Sequence, residues 1–129
     1  MKEEVNVFLE RAKKFEELAK IAFEKKMYDV AAFHIEQSLQ LYLKYVLAKD
    51  VGYFPKTHNL KKLFEYASNV DKKFEEFYSK NEIILKDIED AYILARYLPR
   101  DYSENEVKKM IDTLEKFKGE FRKWISSKD

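Results

Sequence analysis

Apolar residues recur at three- and four-residue steps through nearly the whole chain, and no stretch alternates in the two-residue rhythm of a strand. Val5, Phe8, Ala12, Phe15, Ala19 and Ala22 mark a first helix over about 3–26. A second helix follows, with Asp29 as the expected N-cap and an end near Lys49. The loop "VGYFPKT" (51–57) contains the first glycine and the first proline. Gly52 suits a helix end, and Pro55 biases Phe54 away from helical angles. Thr57 is the expected cap of a short third helix, "HNLKKLFEYAS". A break near 69–71 leads into a fourth helix, about 71–98, which Pro99 stops. Ser103 and Glu106 have the spacing of a capping box, and a fifth helix carries Val107, Met110, Leu114, Phe117, Phe121 and Trp124 on one stripe. The expectation is an all-α fold: one domain over 1–129, an up-and-down bundle of four long helices plus one short helix, with no internal repeat.

The second helix is unusual. Ala31, Ile35, Leu39, Tyr42 and Val46 make a core seam, and Phe33, Leu43 and Leu47 interrupt the polar sector that contains Glu36 and Gln40. A helix that is apolar nearly all round is covered on more than one side. Two arrangements do this: a helix sandwiched between neighbours of its own chain, or a helix that also builds a subunit interface. The second is preferred, because two-fold dimers dominate small oligomers.

Composition narrows the chemistry. Hydrophobic residues are 46% and aromatics 16%, ample for a core, and 25 basic residues face 24 acidic ones for a net charge of +1. That balance gives no global reason to expect a nucleic-acid binder, although a local basic patch stays open. Without cysteine there is no disulfide, thiolate or Cys-ligated zinc. The charged N-terminus and the absence of a long apolar run point to a cytoplasmic protein without membrane spans. Abundant Lys and Glu with only two Gln suit a thermophile. A di-iron bundle site needs Glu-x-x-His, but Ala31 and Pro55 stand three residues before His34 and His58. Glycine-rich phosphate loops, G-x-S-x-G and H-E-x-x-H are absent, so no metal or cofactor is expected. Acid pairs such as Glu16–Glu17 and Glu75–Glu76, and the lysine pairs at 61–62, 72–73 and 108–109, read as solvated helix faces.

Two stretches carry the candidate site. His34, Gln37, Leu41 and Lys44 run along one side of the second helix. They form either a polar seam leading to a cleft or a structural pair in which His34 bonds Gln37 or a facing carboxylate. In "DIEDAYILARYLPRDY" (87–102), Glu89, Tyr92 and Arg96 share a face. They are either an intrahelical Glu–Arg pair or an arginine aimed at a phosphate or carboxylate, with tyrosines beside it. His58, behind Thr57, is expected to tie the loop to a neighbouring helix or to cap backbone groups.

Together, "AAFHIEQSLQLYLKYVL" (31–47), "PKTHNLKKLF" (55–64) and "DAYILARYLPRDYSENEV" (90–107) resemble the HEPN domain family over about residues 5–125. The resemblance implies a four-helix up-and-down bundle that usually dimerises. It also implies a chain encoded beside, or fused to, a small nucleotidyltransferase, in operons that include toxin–antitoxin pairs. Some members are metal-independent ribonucleases with an Arg, four to six residues, then a His. Here those positions hold Asp101, Tyr102 or Ser103 after Arg96, and Asn105, Glu106 or Val107 after Arg100, so the expected acid–base histidine is missing. What carries over by resemblance is Arg96 with Tyr97, and His34 with Gln37, near a cleft suited to a nucleotide or other anion. The preferred expectation is a non-catalytic homodimeric binding and assembly module, a partner of a nucleotidyltransferase that binds a nucleotide or RNA. The alternatives are a ribonuclease with a non-standard active site and a plain helical adaptor.

Overall fold

The computed structural model describes residues 2–98 and 100–126, apart from the side chain of Lys2. Seven helices lie among them: α1 (Lys2–Glu24), α2 (Tyr28–Asp50), α3 (Leu60–Ala67), α4 (Lys73–Lys80), α5 (Glu82–Tyr97), α6 (Glu104–Glu120) and α7 (Arg122–Ile125). The two long runs expected as single helices are each broken once, so the all-α bundle has four long helical runs plus the short α3. Pro99, expected to stop a helix, lies outside the described residues, and α5 ends at Tyr97.

The breaks and boundaries have local causes. α1 ends two residues before the expected limit in a reverse turn: Met27 N–H donates to the Ala22 carbonyl at 2.8 Å and Lys26 N–H to Phe23 at 3.0 Å. Lys26 takes the left-handed conformation there, with φ 62°. Gly52, with φ 82°, ends α2 as expected, its N–H reaching back to Leu47 and Ala48. Asp29 is not the N-cap of α2. Met27 occupies that position, and Asp29 supplies a negative charge in the first turn. Thr57 does not cap α3 either. Asn59 does, accepting from Lys62 N–H at 3.0 Å, while Thr57 Oγ1 accepts from Asn59 N–H at 3.1 Å. α4 and α5 part at Asn81, whose amide donates to the Phe77 carbonyl at 2.9 Å and so competes with the helical ladder.

The capping box opens α6 as expected: Ser103 Oγ accepts from Glu106 N–H at 3.1 Å and Glu106 Oε1 accepts from Ser103 N–H at 3.0 Å. Ser103→Ala is expected to lower stability by about 1 kcal/mol, read by urea denaturation, because both donors lose their partner or its anchor.

α2 is the axis of the molecule, packed by α1, α5, α3, α6 and α7. Small side chains at Ala12, Ala19 and Ala22 let α1 lie close against it, and Ser38 Oγ donates to the Ala12 carbonyl at 2.8 Å across the buried seam. Leu43 and Leu47 are 0% and 2% exposed within this single chain, and Phe33 is half-buried. The apolar surplus of α2 is therefore absorbed chiefly by its own neighbours, the sandwiched arrangement, and does not by itself call for a second subunit. The opposite flank is an aromatic core in which Phe64, Phe74, Phe77, Phe117 and Phe121 interlock, with Trp124 at its edge.

Glu16 departs from the expected solvated face. It is 5% exposed and accepts from Tyr42 Oη at 2.8 Å and Lys118 Nζ at 2.6 Å, whereas Glu17, Glu75, Glu76 and the three lysine pairs are exposed as expected.

Candidate functional site

The site grows out of a buried carboxylate. Glu36, on α2, is 0% exposed and carries two amides on its oxygens. Gln37 Nε2 donates to Oε1 at 2.7 Å, and Gln40 Nε2 donates to Oε2. Burial pushes the Glu36 carboxyl up to about 7, against the pull of the Gln40 and Gln37 hydrogen bonds; the charge of Glu89 adds to the rise and that of Arg96 opposes it. Since Gln40 presents its NH2 to a carboxylate, its carbonyl faces the other way, toward His58 Nδ1 at 3.3 Å. The carbonyl can only accept, so His58 holds its proton on Nδ1 and leaves Nε2 as a free acceptor. Burial, then the charges of Lys44 and Arg96, hold the His58 imidazole below its usual range, which favours this neutral form.

His58 stacks on Tyr92, with centroids 4.5 Å apart and planes 19° apart. Tyr92 in turn carries Arg96, whose guanidinium carbon is 4.3 Å from the Tyr92 centroid, 4.6 Å from Tyr97 and 5.1 Å from Phe33. Arg96 Nε–H donates to the Tyr92 carbonyl at 2.7 Å, one turn back along α5. Three rings and one backbone bond thus fix the guanidinium, while its terminal N–H groups face no carboxylate within ion-pair distance among the described residues. Lys44 is half-buried, and burial lowers its ammonium below the usual range against the opposing charge of Glu36. A cleft of about 440 Å³ adjoins the group, with His58, Asn59, Glu89, Asp90, Tyr92 and Ile93 among its walls. Glu89 stands on those walls, its carboxyl raised above the usual range by burial against the pull of the Lys61 backbone at the start of α3.

Of the residues the sequence singles out, Arg96, Tyr92 and Tyr97 meet, and Gln37 and Lys44 flank the carboxylate behind them. His34 stands apart. Its Nδ1–H donates to the Val30 carbonyl at 2.8 Å, and its ring lies between Phe15 at 5.5 Å and Phe33 at 5.6 Å. Phe33 therefore separates it from Arg96. None of the structural pairings considered from sequence forms among the described residues: His34 bonds neither Gln37 nor a facing carboxylate, and Glu89 does not pair with Arg96. His58 does tie its loop to a neighbouring helix, through Gln40.

Glu36, Gln40 and His58 are the members that sequence reasoning missed. A signal was present. Residues 33, 36, 40, 43 and 47 follow the three–four spacing of one helix face. A face that buries Leu43 and Leu47 buries Glu36 and Gln40 with them, so the polar pair was an internal network and not a solvated sector.

The arrangement is an all-helical bundle whose central helix carries a buried acid–amide–imidazole relay ending at a caged surface arginine. The HEPN domain family model matches residues 5–124, nearly the full length, and the chain belongs to that family. No curated protein matches the sequence. Among the described residues, no helix is long and apolar enough to cross a membrane, and no cluster of three or more His, Asp or Glu side chains is placed to hold a metal ion.

Proposed function

We propose that the chain is a cytoplasmic, non-catalytic HEPN module that binds an anionic ligand, a nucleotide foremost, through Arg96, and that assembles as a homodimer beside a small nucleotidyltransferase subunit in the manner of a toxin–antitoxin pair. The observation that carries the ligand reading is the state of Arg96: pinned by Phe33, Tyr92 and Tyr97, bonded through Nε, and without an ion-pair partner among the described residues. An arginine held in one geometry with its fork free is suited to the planar, bidentate recognition of phosphate or carboxylate. The assembly reading is supported by apolar exposure around the same group: Tyr97 is 66% exposed, and Ile93 and Leu98 are open as well. The nucleotidyltransferase follows from the family resemblance.

Titration of AMP into the wild-type protein and into Arg96→Ala tests the ligand reading. Binding is expected to weaken at least about tenfold in the variant, the loss of one charge-assisted bidentate contact. Arg96→Lys should recover only part of it, since a point charge replaces the fork. Equal affinity in all three proteins, or no binding at millimolar nucleotide, would overturn the reading. Sedimentation equilibrium tests the dimer separately.

A second reading, metal-independent RNA cleavage, is favoured by one observation. His58 presents a neutral Nε2 acceptor, and the Tyr92 ring is flanked by that imidazole at 4.5 Å and by the Arg96 guanidinium at 4.3 Å. Cleavage abolished by both His58→Ala and Arg96→Ala would establish it. RNA left intact by the purified protein and its partner would exclude it.

A further inference from the structure

The gap between α1 and the α6–α7 corner holds a second polar cluster, built from residues that the Arg96 site does not use. It spans about 470 Å³ beside Tyr42, with Lys13, Glu115, Lys118, Gly119 and Arg122 on its walls. A closed set of charges backs it, of which Glu115 and Lys118 face the opening. Glu16 takes hydrogen bonds from Tyr42 Oη at 2.8 Å and Lys118 at 2.6 Å, and Lys20 approaches it at 3.2 Å. Glu115 pairs with Lys20 at 2.8 Å and with Lys118 at 3.5 Å. The two acids and two lysines of this ring neutralise one another, and both carboxylates are committed. Lys13 and Arg122 remain over, with no ion pair among the described residues. Gly119 adds no side chain to the opening, and a Cβ there would meet nothing within 4 Å.

We propose that this gap is a second ligand site, distinct from Arg96, which takes a small molecule carrying a dianionic head such as a phosphomonoester. A cation would find no free carboxylate, because Glu115 on the wall is already paired with Lys20 and Lys118. An anion would meet two uncompensated charges, from α1 and from α7, one of them an arginine fork suited to phosphate oxygens. Lys118 is held in place by Glu16 and would add a third, pre-oriented N–H donor. The volume falls in the range of small-molecule sites and exceeds what a bare phosphate needs, leaving room for an attached group beside Tyr42.

Inorganic phosphate and pyrophosphate serve as probes, titrated at constant ionic strength with chloride as the balancing anion and followed by amide chemical shifts. Saturable shifts at Gly119, Arg122 and Ser126 are expected, weakened at least about tenfold by Arg122→Ala and also by Lys13→Ala. Both residues are exposed, so the variants should fold as the wild type does. Arg96→Ala should leave these shifts unchanged, which separates this site from the proposed nucleotide site. Shifts that vanish in Arg96→Ala, or that persist undiminished in Arg122→Ala, or that never saturate, would overturn the assignment.

Discussion

Replacing Phe117 with alanine is expected to destabilise the protein by about 3–5 kcal/mol, the largest single-residue effect on the fold. The ring is fully buried on α6 and touches aromatic partners on three other helices and at the α6–α7 corner. Phe77 meets it edge-on with centroids 5.7 Å apart, Phe64 edge-on at 5.9 Å, Phe121 at 4.9 Å, and Tyr42 and Phe74 each at 6.3 Å. These partners come from α2, α3, α4 and the α6–α7 corner, so no single neighbour can move in to fill the space left behind. A typical domain is stable by only 5–15 kcal/mol. The variant should therefore unfold roughly 10–20 °C below the wild type, at about 3–5 °C per kcal/mol for a chain of this size. Phe117→Leu keeps most of the volume and should cost less than half as much. A loss below about 1 kcal/mol for the alanine variant, measured by urea and thermal denaturation, would mean that the aromatic cluster is not the interlocked core its ring distances describe.

The helices were legible because helix formation depends on local periodicity, and the apolar stripes at 5–22, 31–46 and 107–124 are unbroken in sequence. Gly52 and the Ser103–Glu106 box also did what their residue types dictate. The boundaries that escaped were those without their usual residues. α1 turns on Lys26 in a left-handed conformation, where a glycine would have announced the stop, and α4 breaks at Asn81 within an apolar pattern that continues past it. The site was half legible for a related reason. Arg96, Tyr92 and Tyr97 lie within about a turn and a half on α5, so spacing alone brought them together. His34 was misplaced because a helix face does not say which neighbour it meets, and Phe33 blocks the way to Arg96. His58 reaches the site through α2 and α5, a tertiary contact between segments that sequence reasoning treats separately. The surplus apolar surface of α2 did signal cover on several sides, but the preferred source, a second subunit, is not what buries Leu43 and Leu47. What covers it is α1, α3, α5, α6 and α7 of the same chain.

Glu36→Gln is expected to change how stability depends on pH more than any other substitution of an ionisable residue. The folded carboxyl titrates near 7, against about 4.5 for the free group. Between those values the native state binds more protons than the unfolded chain, so stability falls as pH rises, and above 7 the whole cost is present. The interval corresponds to roughly 3 kcal/mol. Glutamine has the same shape and no charge, so the difference in stability, variant minus wild type, should climb by about that amount from pH 4.5 to 7.5 in urea denaturation curves. The difference isolates Glu36 from groups that titrate elsewhere. Glu106 and Glu115 are held below the usual carboxylate range by their hydrogen bonds and neighbouring cations; their stabilisation is lost as pH falls through those low values, beneath this window. His58, also low, acts with the opposite sign below 6.5 and is common to both proteins to first order. The substitution has a second consequence along the relay. An amide at position 36 keeps one oxygen and puts a donor in place of the other; with that donor toward Gln40, Gln40 turns its carbonyl inward and its NH2 toward His58 Nδ1. The imidazole then carries its proton on Nε2, a tautomer change visible in the ring nitrogen shifts. Parallel stability curves for the two proteins would show that Glu36 bears no buried charge.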